Sequence, residues 1–135
     1  MSDTNAIIKS YLATDTALAA LVSDRIYCPR LPEGATLPAI GFFTRGGTST
    51  PYIPEIPTPS VQFDCWAETS ATEHGSIIAR RVYRALYDAL QGIQNVAVGS
   101  NYILSAREEV QGQDLVDSEI PNYFRVLTFF EIMVR

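Results

Sequence analysis

The sequence is short of positive charge: 10 Lys and Arg stand against 15 Asp and Glu, a formal net charge of −5. Neutralising phosphates takes clustered Lys and Arg, so this balance argues against a protein whose main task is gripping nucleic acid and disfavours binding to an anionic membrane surface. Histidine and cysteine are scarce too, at 1 and 2. A single His gives little basis for a triad or a His-rich metal cluster, and Cys28 and Cys65 stand in no metal-ligand spacing. Both read as reduced structural thiols, with Cys65 buried in a strand. No apolar run approaches the roughly 20 residues of a membrane span, and residues 1–12 lack the basic and continuous apolar regions of a signal peptide. A soluble, cytoplasmic protein with no membrane partner is the expectation. No internal repeat, low-complexity tract or compositional break divides the chain, so residues 1–135 read as a single domain.

What is present suits one packed core. Apolar residues make up 47% of the 135 and charged residues 19%, the balance of a globular domain. Ser2 or Asp3 can cap a first helix carrying Ala6, Ile7, Ile8, Tyr11 and Leu12, and Asp15 can start a second with Ala17, Leu18, Leu21 and Val22. Pro29, Pro32 and Pro38 exclude continuous helix after it. Ile40, Phe42 and Phe43 predict a strand over residues 39–44, closed by Gly46 and Gly47. Residues 46–60 hold Pro51, Pro54, Pro57 and Pro59 and predict a long connection without regular structure. Val61, Phe63 and Cys65 then alternate with Gln62, Asp64 and Trp66, the period of a half-buried strand. Trp66 either packs under a second layer or meets another chain.

Ser70 and Glu73 have the spacing of a capping box, followed by Ile78, Val82, Ala85, Leu86, Ala89 and Leu90 at intervals of three and four. That stripe predicts a long amphipathic helix ended by Gly92. Two more strands are expected over residues 102–110 and 123–134, separated by a polar stretch. The last has Phe124, Val126, Phe130, Ile132 and Val134 on one face and Tyr123, Leu127, Phe129 and Met133 on the other. With one long helix to cover the sheet, the second apolar face calls for another partner, and self-association is the economical answer. The fold class expected is α+β: an antiparallel sheet of about four strands, with one long amphipathic helix and a short N-terminal helical segment packed on it.

The residue types that carry chemistry do not combine into a recognisable site in this sequence. His74 falls in the first turn of the long helix without an orienting partner and reads as a surface residue. Gly46 and Gly47 lack the Gly-Lys-Ser/Thr ending of a phosphate loop. Glu108, Glu109, Asp114, Asp117 and Glu119 form a late acidic cluster that resembles no calcium loop and reads as a solvated hairpin with its adjoining strand. No catalytic residue, metal or cofactor is assigned. Arg80, Tyr83, Arg84 and Tyr87 share a helical face beside the core stripe, a better surface for a neighbouring subunit than for a nucleic-acid strand. The outer face of the last strand, with Phe129, Glu131 and Met133, is the second candidate patch. In and just before the proline-rich connection, Arg45, Tyr52, Ile53 and Ile56 have little core to join and are expected to contact a neighbouring copy or the structure on which the copies assemble.

Residues 16–27 (TALAALVSDRIY), 31–42 (LPEGATLPAIGF) and 61–67 (VQFDCWA), with the amphipathic helix after them, resemble the small tail-completion family of siphophages, prophages and gene transfer agents. That resemblance implies a tail terminator or head–tail joining protein: a ring, commonly a hexamer, that sits on the last ring of tail-tube protein, stops tube growth and faces the head-completion proteins. It implies no enzyme, no cofactor and a lumen through which DNA passes without specific binding. Location would be the bacterial host cytoplasm during assembly, then the head–tail junction of the particle. Another head–tail connector or a minor tail protein shares these broad features, and a small enzyme built on the acidic cluster is the remote alternative.

Overall fold

Asp3 and Asp15 start the two helices that the sequence marks. In a computed structural model, which describes residues 3–116 and 122–135 and their side chains except at positions 50, 53–55 and 116, helix α1 spans Thr4–Ala13 and α2 spans Thr16–Val22. Asp3 Oδ1 accepts from the amides of Asn5 and Ala6, and Asp15 Oδ1 from that of Leu18 at 3.0 Å. Each cap satisfies amides that have no partner inside the helix. Ser2, the other cap candidate, lies outside the described residues.

The remaining elements are β1 (Ile26–Tyr27), β2 (Ala39–Thr50), β3 (Ile53–Glu68), α3 (Gly75–Leu90), β4 (Gln94–Val98), β5 (Asn101–Val116) and β6 (Tyr123–Val134). They form an α+β fold with one mixed six-stranded sheet in the order β1-β2-β3-β6-β5-β4, where β1 pairs parallel to β2 and every other pair is antiparallel. This corrects the expected count of about four antiparallel strands. The two unforeseen strands, β1 and β4, are 2 and 5 residues long, too short for a period to declare itself.

The stripe on α3 packs Ala79, Val82, Leu86, Ala89 and Leu90 onto Val61, Phe63, Cys65, Phe130 and Ile132, and α1 and α2 add Ile8, Leu12, Leu18 and Val22 to the same core. Phe63 stacks with Phe42 and meets Phe130 edge-on, at ring separations of 5.5 and 5.8 Å. Removing the fully buried Leu86 side chain is expected to cost about 2–5 kcal/mol.

Residues 46–60 are not an irregular connection. Apart from the turn at Pro51 and Tyr52 they belong to β2 and β3, which run on past the body of the sheet as a two-stranded arm. β6 begins to pair with β3 only at Ser60↔Glu131, so Pro54, Pro57 and Pro59 stand where no β6 neighbour requires their missing amide hydrogens. The Gly46–Gly47 pair does not close β2 but bulges it, with both residues at positive φ. A Cβ on Gly47 would stand 2.5 Å from Pro59 Cα, so the close approach of the two strands there admits only glycine.

The long helix also starts later than the Ser70–Glu73 spacing predicts. Ser70 Oγ accepts from the Glu73 amide at 3.0 Å, but this closes a turn ahead of α3, and Glu73 turns its carboxylate to Arg81 instead. The cap of α3 is His74, whose Nδ1 accepts from the Ser76 amide while its ring packs 4.6 Å from that of Phe124.

Candidate functional site

Helix α3 places its outward residues on one exposed face. Arg80 Nε pairs with Asp114 at 3.0 Å, and Arg81 pairs with Glu73. Holding against Arg81 keeps the Glu73 carboxyl below its ordinary pKa. Arg84 is exposed and, among the described residues, has no ion pair. Beside it stand Ile77 and Tyr87, 54% and 36% exposed.

Tyr83 does not belong to that face. At 100° per residue, position 83 falls at the edge of the buried stripe, and the phenol lies against the sheet with 5% of its surface exposed. Its hydroxyl donates to the Glu108 carboxylate at 2.7 Å and accepts from the Gly112 amide at 3.1 Å. Burial, then the Glu108 bond, push its pKa up to about 12. Thr128, fully buried, has its hydroxyl 2.7 Å from the same carboxylate and 2.9 Å from the Val110 carbonyl. One proton serves one of these acceptors at a time. The network sits where β5 shifts register twice, between Glu108 and Val110 and again before Gln113, and it occupies backbone groups that the bulges free from the ladder.

The acidic cluster is therefore dispersed. Glu108 faces the core side, Glu109 accepts from Ser60 at 2.8 Å, Asp114 pairs with Arg80, and Asp117 and Glu119 lie outside the described residues. Among the described residues no group of three or more His, Cys, Asp or Glu is placed to hold a metal ion, and no helix is long and apolar enough to cross a membrane. Cys65 is fully buried and burial pushes its thiol far up, while the half-buried Cys28 is raised by burial and by Asp3.

The sheet's outer face, away from the helices, carries Leu127, Phe129, Glu131 and Met133 from β6, all half-buried. Guanidinium groups cover part of it: Arg45 lies 4.2 Å over the Phe129 ring, Arg125 lies 4.9 Å over Trp66, and Arg107 pairs with Glu131 at 3.0 Å. Asp64 is enclosed on the same face with 9% of its surface exposed. Among the described residues its Oδ1 has no hydrogen-bond partner, and it stands 3.7 Å from Arg125, too long for a bond but close enough for attraction. Burial raises the Asp64 pKa and outweighs the lowering by Arg125 and Gln62.

The proline-rich arm divides the four residues expected to reach a neighbour. Tyr52, at the tip, is 91% exposed, Ile56 is half-buried, Arg45 turns back onto Phe129, and the Ile53 side chain lies outside the described residues. Sequence reasoning missed a cleft of about 210 Å³ between the segment after β1 and the end of β3, lined by Leu31, Pro32, Leu37, Trp66 and Tyr123. The alternation in β3 pointed Trp66 to this outer face, but the segment that meets it there is irregular and has no period to read.

A family model described as Tail completion protein gp17 matches residues 7–117. Among solved structures, the chain is similar to one in "Virion of native gene transfer agent (GTA) particle", with 16% identity, coverage of 97% of this chain and 93% of that one, and a TM-score of 0.67. At that identity the likeness shows a shared fold. No curated protein matches the chain.

Proposed function

The chain belongs to the tail completion protein gp17 family, and from that premise we propose that it is a tail terminator, a structural protein that closes the head-proximal end of a phage-like tail tube and joins it to the head. The family match over residues 7–117 carries this reading. In it, residues 1–135 act as one assembly domain without catalysis. Copies form a ring, six in the arrangement that the resemblance implies, which stops tube polymerisation and presents a surface to head-completion or connector proteins. Assembly takes place in the host cytoplasm, and the finished ring stays at the head–tail junction.

A ring needs two different patches per subunit that complement each other, since a head-to-tail contact closes by rotation. The exposed face of α3, with Ile77, Arg80, Arg84 and Tyr87, supplies one, and aromatic and Arg side chains are favoured anchors at such contacts. The outer face of β6, with Phe129, Glu131 and Met133, supplies the other. The arm, through Tyr52 and Ile56, reaches a neighbour or the tube. The net charge of −5 suits a lumen along which DNA slides without being held. Strong, salt-sensitive binding of the purified protein to duplex DNA contradicts that part.

The test is to add purified protein to tail tubes assembled from their own subunit. Rings on one end of each tube and an end to further growth are expected. Tubes that keep growing, with no added density, refute the proposal.

A further inference from the structure

The arm and the aromatic cleft lie at opposite ends of the same strand. Ile56 and Trp66 stand ten residues apart on β3, about 30 Å of extended chain, so the arm of a subunit cannot reach the cleft of that subunit. Their chemistries nevertheless match. Pro51 lies in the turn between β2 and β3, and Pro54 and Pro57 follow on β3, so prolines run from the tip of the arm down one strand. Residues 54–57 are also where the β2–β3 ladder skips, since pairing passes from Thr48↔Thr58 to Thr50↔Ile53. That backbone is accordingly not committed to β2. The cleft offers what proline-rich segments dock into: an aromatic wall, Trp66 and Tyr123, faced by Leu31, Pro32 and Leu37. Its volume, about 210 Å³, falls below the roughly 300–1,000 Å³ of ordinary small-molecule sites and suits a few apolar side chains. Charge is compatible: Glu55 is the one charged residue between positions 46 and 60, and Arg125, over the Trp66 ring, is opposed by an Asp64 carboxylate 3.7 Å away, beyond hydrogen-bond distance.

The geometry points to the proline arm of one copy seating in the Trp66–Tyr123 cleft of the next copy. This rests on the ring reading and names a contact within it. Because the two surfaces lie at opposite ends of β3, the contact is head-to-tail and repeats around a closed ring. A single such contact is weak, and the ring sums several of them.

Trp66 is the chain's one tryptophan, so its emission reports the cleft alone. The measurement is that emission from the full-length chain, kept dilute, on titration with a synthetic peptide of residues 48–60, which contains no tryptophan. A saturable shift with half-saturation at or below about 1 mM is expected. The response should weaken at least about tenfold when serine replaces the prolines at 51, 54 and 57 of the peptide, and likewise on a Tyr123→Ala chain whose circular dichroism is unchanged. No saturable shift up to about 1 mM, or equal binding of the serine peptide, overturns the inference. So does a shift caused by tail-tube subunits but not by the peptide, which assigns the cleft to the tube. A chain that closes tube ends while the peptide leaves Trp66 unmoved loses this contact and keeps the ring. One that binds the peptide and fails to close tubes keeps the contact and loses the terminator reading.

Discussion

The Tyr83 hydroxyl donates to the Glu108 carboxylate across 2.7 Å, tying the middle of α3 to β5 at the place where that strand bulges twice. The same oxygen receives the Gly112 amide, and a Cβ on Gly112 would stand 2.8 Å from the Tyr83 ring. Helix, bulge and glycine thus fit one another at a single point, which fixes the register of β5 on β6.

Tyr83→Phe keeps the ring and removes the hydroxyl, leaving the Gly112 amide without its acceptor. A loss of about 1–3 kcal/mol is expected near neutral pH, read from chemical unfolding. The pH dependence has a definite sign. The folded pKa is raised from 10.0 to about 12, so the hydroxyl's contribution is complete below pH 10 and disappears as pH rises from 10 to 12. Wild type and Tyr83→Phe should therefore converge over that interval, and a constant gap across it would contradict the assignment.

Asp64 carries the opposite expectation for a carboxylate in an ion pair. Because its folded pKa lies above 3.8, the charged form is disfavoured in the native state, and its contribution to stability falls as pH rises through that folded value. Asp64→Asn is expected to be as stable as wild type at pH 7 or more stable by about 1 kcal/mol, with the difference vanishing near pH 3.8. Urea midpoints at the two pH values check this. A loss of about 3 kcal/mol or more at pH 7 would mean that the Arg125 attraction outweighs burial.

Arg84→Glu and Tyr87→Ala change exposed positions, so each should leave the melting temperature within about 3 °C of wild type. Both should lower the fraction of tube ends carrying a ring by at least about tenfold. Unchanged capping by both variants would remove the α3 face from the interface.

His74→Ala combined with Glu109→Ala tests whether the lone His and the acidic strand do chemistry. Particle yield should match wild type, because His74 caps a helix and Glu109 meets Ser60. A modest drop in stability of about 1 kcal/mol from the lost cap is compatible with that. Loss of particles with the fold intact would revive an enzymatic role.

The parts of this fold that repeat with a period were legible in the sequence. The α3 stripe, the alternation of Val61, Phe63 and Cys65, and the inward face of β6 emerged as read, as did the Asp3 and Asp15 caps. The arm was not legible, because four prolines in fifteen residues argue for a loop, whereas a ribbon without a β6 neighbour does not need their amide hydrogens. Tyr83 was misplaced because helical spacing puts it at the margin of the buried stripe, and the partner that draws it inward, Glu108, lies 25 residues away. The cleft joins side chains separated by up to 92 positions, from Leu31 to Tyr123, and no local pattern announces it.

The most direct test of the terminator reading is electron microscopy of particles produced by a host in which this gene is deleted, beside the same strain complemented with it. Filled heads without tails are expected in the deletion strain, together with unattached tails of uncontrolled length, and complementation should restore joined particles. Joined particles with tails of normal length in the deletion strain would contradict the terminator reading.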